Sequence, residues 1–329
     1  MKLQFLLLTA GVGMLALGFT SVIQPDYGKK ADGKFVGVAA KLFARATPDD
    51  FMNEEACAEC HSSIAKNFPA SPHSKLTQDE SLPVDKQGCQ GCHGPGRIHK
   101  AEENAEVISY TKLSAAESSA ACLRCHEKTM SPNHWKRTVH ARADIGCVSC
   151  HQIHTDTEKG LGHGALKKDA RSLVYAVKTD PKSMLKADEA TLCGSCHPAA
   201  LAEFRGASHH PLLEGRMNCS DCHTPHPSKN SKVNSDPMKG KCVTCHSDKA
   251  GPFIHEHDPV AGFTGSGCQE CHKPHGTNNA KMLNSTTRGL CGQCHTDKMA
   301  GHYPGQTCWS AGCHVSNHGS NSDPLFLKP

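Results

Sequence analysis

Residues 268–276 read Cys268-Gln-Glu-Cys271-His272-Lys-Pro-His275-Gly276, and residues 219–226 read Cys219-Ser-Asp-Cys222-His223-Thr-Pro-His226. Two thiols three positions apart, with an imidazole directly after the second, form the C-x-x-C-H signature of c-type haem attachment. The thiols add to the two vinyl groups on one porphyrin edge, and the histidine turns back beneath the ring to bind iron. One such match also fits a redox dithiol or half of a zinc site. Repetition decides the matter.

Outward from these two sites the signature recurs at Cys57, Cys60, His61; Cys89, Cys92, His93; Cys122, Cys125, His126; and Cys147, Cys150, His151. It occurs again at Cys193, Cys196, His197; Cys242, Cys245, His246; and Cys291, Cys294, His295. Chance at these Cys and His frequencies supplies about 0.1 copy. A last site is irregular, with four residues between the thiols: Cys308-Trp-Ser-Ala-Gly-Cys313-His314. Its alternative is a small disulfide, which an oxidising compartment permits. Flanking His302 and His318 favour haem there too. These ten sites use all 20 cysteines.

Composition agrees. Leu, Ile, Val and Phe are 54 of 329 residues, below the roughly 20% that a packed side-chain core requires. The formal charge is only +4, so disorder by self-repulsion does not follow. Basic residues are not clustered and aromatics are scarce, which excludes a nucleic-acid partner. Ten haem c groups would supply the missing apolar bulk, and the polypeptide would be a wrapping that folds with its cofactor.

Fourteen of the 24 histidines remain after the proximal set. The sites fall into five diheme units starting at Cys57, Cys122, Cys193, Cys242 and Cys291. Each unit carries a mid-loop histidine (His73; His134 and His140; His209 and His210; His255 and His257; His302) and one after its second site (His99, His154, His226, His275, His318). The expected distal ligands are His73, His99, His140, His154, one of His209 and His210, His226, His257, His275, His302 and His318. His163 has no counterpart and is surplus. His154, His226 and His275 follow their proximal histidine by three residues, too few to round a porphyrin edge. They are expected to cap the first haem of their own unit, with the mid-loop histidine capping the second. Methionine shows no recurring place, and bis-His iron is expected to have a lower potential than His/Met iron.

The fold class expected is a multihaem cytochrome c: mostly irregular, with little or no sheet, drawn out as a wire of five diheme repeats. Short helices are expected at Asn53–His61, Ser114–His126 and Asp188–His197. The divisions are a signal peptide (1–23), an N-terminal tail (24–50), haems 1–4 (51–154), a linker (155–192) and haems 5–10 (193–329). Lys2 before an uncharged run from Leu3 to Ile23 reads as an export signal. The rival is an uncleaved membrane anchor. Either exports the rest of the chain.

The segments Gln87–His99, His209–His226 and Cys268–Gly276 resemble the periplasmic decahaem cytochromes of the MtrA/DmsE/PioA type, a likeness running from about Asn53 to His318. It implies a periplasmic electron carrier, free or inserted in an outer-membrane β-barrel. The donor would be an inner-membrane quinol-oxidising cytochrome, and the acceptor a surface cytochrome or terminal reductase. The Cys308–Cys313 spacing departs from that pattern. A reductase of the nitrite or hydroxylamine type is the first alternative, with the irregular tenth site as the only candidate for an open iron. A polymerising extracellular cytochrome filament is the second.

Overall fold

The computed structural model describes residues 38–329 apart from 78, 103–104, 106, 155–183, 227–237, 262–265, 287, 303–306 and 310. The leader, residues 24–37 of the tail, most of the 155–192 segment and His163 lie outside the described residues.

Each attachment motif is one helical turn, which brings residues three and four apart onto one face. The histidine N–H donates to the carbonyl of the first cysteine at 2.9 Å in His61, His93, His151, His197, His223 and His295. In His246 and His272 the distance is 3.0 Å. The irregular site closes with the same bond, His314 N to Cys308 O at 3.1 Å, so its two extra residues bulge without changing the ends. The third motif is the last turn of the helix Ala115–His126. There Ser114 Oγ accepts from Glu117 N–H, while the Glu117 carboxylate accepts from Ser114 N–H. Asp188 caps the helix Glu189–Gly194 by accepting from Thr191 N–H at 2.8 Å. Near Asn53–His61 only Glu55–Ala58 is helical.

The backbone leaves the two sites of a unit differently. At the first-site histidines His61, His197, His246 and His295, ψ lies at 43°, 55°, 49° and 55°, and a new short helix or 3-10 turn starts at the next residue. At second-site His151 ψ is 149° and the chain runs extended. A downstream strap then pairs with it: His151 bridges Leu185, and His272 bridges Leu283. Gln152 N donates to Met184 O and Lys273 N to Met282 O, both at 2.8 Å. Ser316 N donates to Phe326 O at 3.1 Å in the last unit. Met184, Met282 and Phe326 have φ of 50°, 55° and 59°, left-handed backbone that is uncommon for such residues. Met184 and Met282 occupy equivalent strap positions in two of the units, with Phe326 in the corresponding place in the last.

Among the described residues the sheet content is two ladders of two residues per strand. Ser208–His209 pairs with Gly276–Thr277, and His255–Glu256 with Gly319–Ser320. No strands were expected, because two-residue strands leave no alternation to read. Each ladder spans a boundary between consecutive units. At Gly276 (φ 146°) a Cβ would stand 2.5 Å from Glu203 O, so the two backbones need a glycine to approach this closely.

Side-chain cores are small. Leu123, Trp135 and Ala141 are buried together with Met130 against them. Ala190 and Leu212 form a second cluster with Leu201, Phe204 and Cys219. Consecutive units are also tied by Arg124, inside the third motif. Its guanidinium pairs with Asp85 at 2.7 Å, donates to Gly91 O in the second motif at 3.1 Å, and lies 3.6 Å from the Phe43 ring centroid. Phe43 belongs to the helix Val38–Arg45 of the tail. Among the described residues no helix is long and apolar enough to cross a membrane.

Candidate functional site

The thiols form one continuous series. Within each unit the first cysteines of the two motifs lie beside each other: Cys57 and Cys89, Cys122 and Cys147, Cys193 and Cys219, Cys242 and Cys268, and Cys291 and Cys308. Across each boundary the second cysteine of one unit lies within electrostatic reach of both cysteines of the next unit's first motif: Cys92 of Cys122 and Cys125, Cys150 of Cys193 and Cys196, Cys222 of Cys242 and Cys245, and Cys271 of Cys291 and Cys294. Spatial order therefore follows chain order through all ten motifs. Gly146 permits one of these contacts, since a Cβ there would lie 2.7 Å from Ala115 O, and Ser119 Oγ receives the Cys147 N–H at 3.3 Å. No disulfide joins Cys308 to Cys313. Cys308 also stands beside Cys291, as the regular second sites stand beside their first. Burial pushes the Cys89 thiol up to about 12, with Glu54 adding to the effect.

Nine of the ten motif histidines face a second imidazole. Ring centroids are 5.9 Å apart for His73 and His126, 5.8 Å for His93 and His154, and 6.2 Å for His140 and His197. They are 5.6 Å apart for His151 and His226, 6.2 Å for His210 and His246, and 6.1 Å for His223 and His275. The last three are His257 and His295 at 6.4 Å, His272 and His318 at 6.2 Å, and His302 and His314 at 6.2 Å. Two metal–imidazole bonds of about 2 Å plus two half-rings put ring centres about 6 Å apart, so the pairs fit one iron each. Burial holds His73, His93, His154, His223, His226 and His318 below the usual imidazole range, favouring the neutral form that binds metal. His61 is the exception. Among the described residues no ring faces it at this distance.

These pairings overturn the expectation that each unit caps its own two irons. The mid-loop histidine reaches the first motif of the next unit (His73 to His126, His140 to His197, His210 to His246, His257 to His295). The histidine after the second site reaches back to the second motif of the preceding unit (His154 to His93, His226 to His151, His275 to His223, His318 to His272). The boundary ladders are the physical reason at the last two junctions. Pairing His209 with Gly276 and Glu256 with Gly319 sets a mid-loop histidine beside a later post-site histidine and sends each to the far side of the boundary. Only the last unit keeps its mid-loop ring, with His302 opposite His314. That also corrects the placing of an open iron at the irregular site.

Hydrogen bonds separate the duplicated histidines. His209 uses both ring nitrogens, Nδ1 on Gly206 O at 2.6 Å and Nε2 on Glu214 at 3.0 Å, whereas His210 turns only Nδ1 to the Pro274 carbonyl. His257 turns Nδ1 to Asn317 O at 2.9 Å and faces His295, while His255 lies in the boundary ladder. His140, rather than His134, faces His197. Carbonyls likewise receive Nδ1 of His93 from Ile108, of His272 from Lys281 and of His314 from Leu325, at 2.7, 2.8 and 2.7 Å. Such contacts fix the tautomer and leave Nε2 for metal. Sequence reading missed these straps, whose one shared signal is the Met-Leu pair at Met184 and Met282.

Comparison with known proteins agrees with this chemistry. Residues 209–251 and 257–300 match the doubled CXXCH motif family, and residues 89–162 match the cytochrome c-type protein NrfB-like family. The chain is 32% identical over 212 residues to the multiheme cytochrome MtrA of Shewanella baltica (strain OS185). That alignment takes in 63% of this chain and 56% of the relative, so the chain spans about half the length of the curated relative it matches. The doubled attachment motifs, the matched segments and the short-helix, largely irregular fold are consistent with a multihaem cytochrome c, and the motifs indicate covalently bound haem c.

Proposed function

We propose that the chain carries ten haem c groups and serves as an electron conduit. Bound haem c supplies one-electron Fe(III)/Fe(II) exchange. The cysteine pairs of the ten motifs hold the porphyrin edges. The irons are held by His61, His93, His126, His151, His197, His223, His246, His272, His295 and His314 on one side. On the other side stand His73, His154, His140, His226, His210, His275, His257, His318 and His302. His99 completes the set opposite His61, its Nδ1 turned to Ala105 O at 3.1 Å and its Nε2 left for metal. The carrying observation is that nine of the ten motif histidines face a second imidazole, with ring centroids 5.6 to 6.4 Å apart, the spacing that one iron between two imidazoles takes. A closed axial set leaves no iron for substrate, which favours a carrier over an enzyme.

The likeness to MtrA and the export signal at residues 1–23 support a periplasmic place, free or within an outer-membrane barrel. They also support a quinol-oxidising cytochrome as donor and a surface cytochrome or terminal reductase as acceptor. Mass spectrometry and electron paramagnetic resonance of the matured protein test the reading. Ten added haem masses with entirely low-spin ferric iron are expected; eight or fewer, or a substantial high-spin population at neutral pH, would overturn it. The reductase reading now points to His61, the one motif histidine that no ring faces among the described residues. Nitrite turnover abolished by His61→Ala but kept in His99→Ala would carry it.

A further inference from the structure

Most anchored imidazoles in this molecule give Nδ1 to a neutral backbone carbonyl. His275 gives it to a carboxylate: Nδ1 lies 3.0 Å from Glu203 Oε2. Glu203 ends the helix Pro198–Glu203, which starts directly after His197, and the next residue, Phe204, packs on the His275 ring at 5.1 Å. Unit one repeats the construction. The helix Ser62–Asn67 starts directly after His61, Asn67 stands where unit three has Glu203, and Phe68 lies edge-on to His154 at 6.2 Å. His154 and His275 are the rings opposite second motifs of units one and three. The chain thus carries the same helix-end device twice, once with a neutral amide residue and once with a carboxylate.

A carboxylate hydrogen-bonded to the outer nitrogen of a metal-bound imidazole fixes its orientation and raises its basicity, and a more basic ligand favours the ferric state. The neutral carbonyls do this less. We propose that Glu203 is a positioning residue that sets the iron between His223 and His275 at a lower potential than its counterpart between His93 and His154. The inference rests on the bis-His reading of these pairs. It divides the series into unequal steps through one acidic residue.

The test is a spectroelectrochemical titration of the fully matured protein and of Glu203→Gln, Glu203→Asn and Asn67→Glu. Haem mass and low-spin spectra are recorded first. Unchanged spectra with one component of Glu203→Gln moved to higher potential are expected, the other components staying in place. The expected move is a tenfold change in that iron's Fe(III)/Fe(II) ratio at fixed potential, about 59 mV for a one-electron couple. Glu203→Asn should move it the same way, and Asn67→Glu should lower a different component. Full haem loading with unmoved potentials in both Glu203 variants overturns the proposal while leaving the bis-His reading intact. Missing haem or high-spin iron in the unmodified protein overturns the bis-His reading instead.

Discussion

The interior boundaries and the C-terminal end of the series solve the same problem in opposite ways. At each interior boundary two imidazoles cross: His210 goes forward to His246 and His275 goes back to His223, for example. At the end there is no following unit, and His302 turns onto His314 of its own unit. With haem bound as proposed, an interior iron would also staple two units, whereas the last iron would join only residues of its own unit. Stability and coordination are coupled inside the array and separable at its end.

The largest effect should come from withholding the cofactor, which removes every staple at once. Protein made where thioethers cannot form should lose nearly all slow amide exchange, because the buried side-chain clusters are too small to fold the chain. Persistent protection across several units would break the comparison. Next comes the contrast between His226→Ala and His302→Ala. Each should open one iron and add a similar high-spin signal. Limited proteolysis should find a new cleavage between units two and three only in His226→Ala. Equal cleavage in both would show that crossing imidazoles do not staple the units.

Arg124→Ala sharpens the picture at the first boundary, where a guanidinium ties the two units beside the crossing imidazoles. Losing the mostly buried contacts to Asp85 and Gly91 should cost about 2 kcal/mol locally, read as faster amide exchange in the second and third motifs. The smallest effect is expected from Ser114→Ala. It removes one half of a capping box and should cost about 1 kcal/mol, confined to the first turn of Ala115–His126 by the same measurement.

Particular residues show where sequence reading ended. The capped helix at Ser114 was legible because its signal lies within four residues, and the observed Ala115–His126 differs from the expected span only by the cap itself. The helix foreseen at Asp188 starts as expected but ends at Gly194 rather than at His197. Choosing His210 over His209 was not legible, since two adjacent imidazoles look alike until Glu214 and Gly206 occupy one of them. The unit-to-unit exchange was misread because loop length limits how far a histidine can go, not which neighbour stands within that reach.

Attachment chemistry is local: two thiols and an imidazole on one helical turn, repeated along the chain. The amino-acid order alone therefore determined the motifs, their grouping in twos and the absence of an oily interior. Axial pairing is non-local. It depends on ladders only two residues long, on a backbone approach at Gly276 and on which carbonyl or carboxylate meets Nδ1. None of these leaves a periodic trace in the chain, so only the tertiary structure decided which rings face each other.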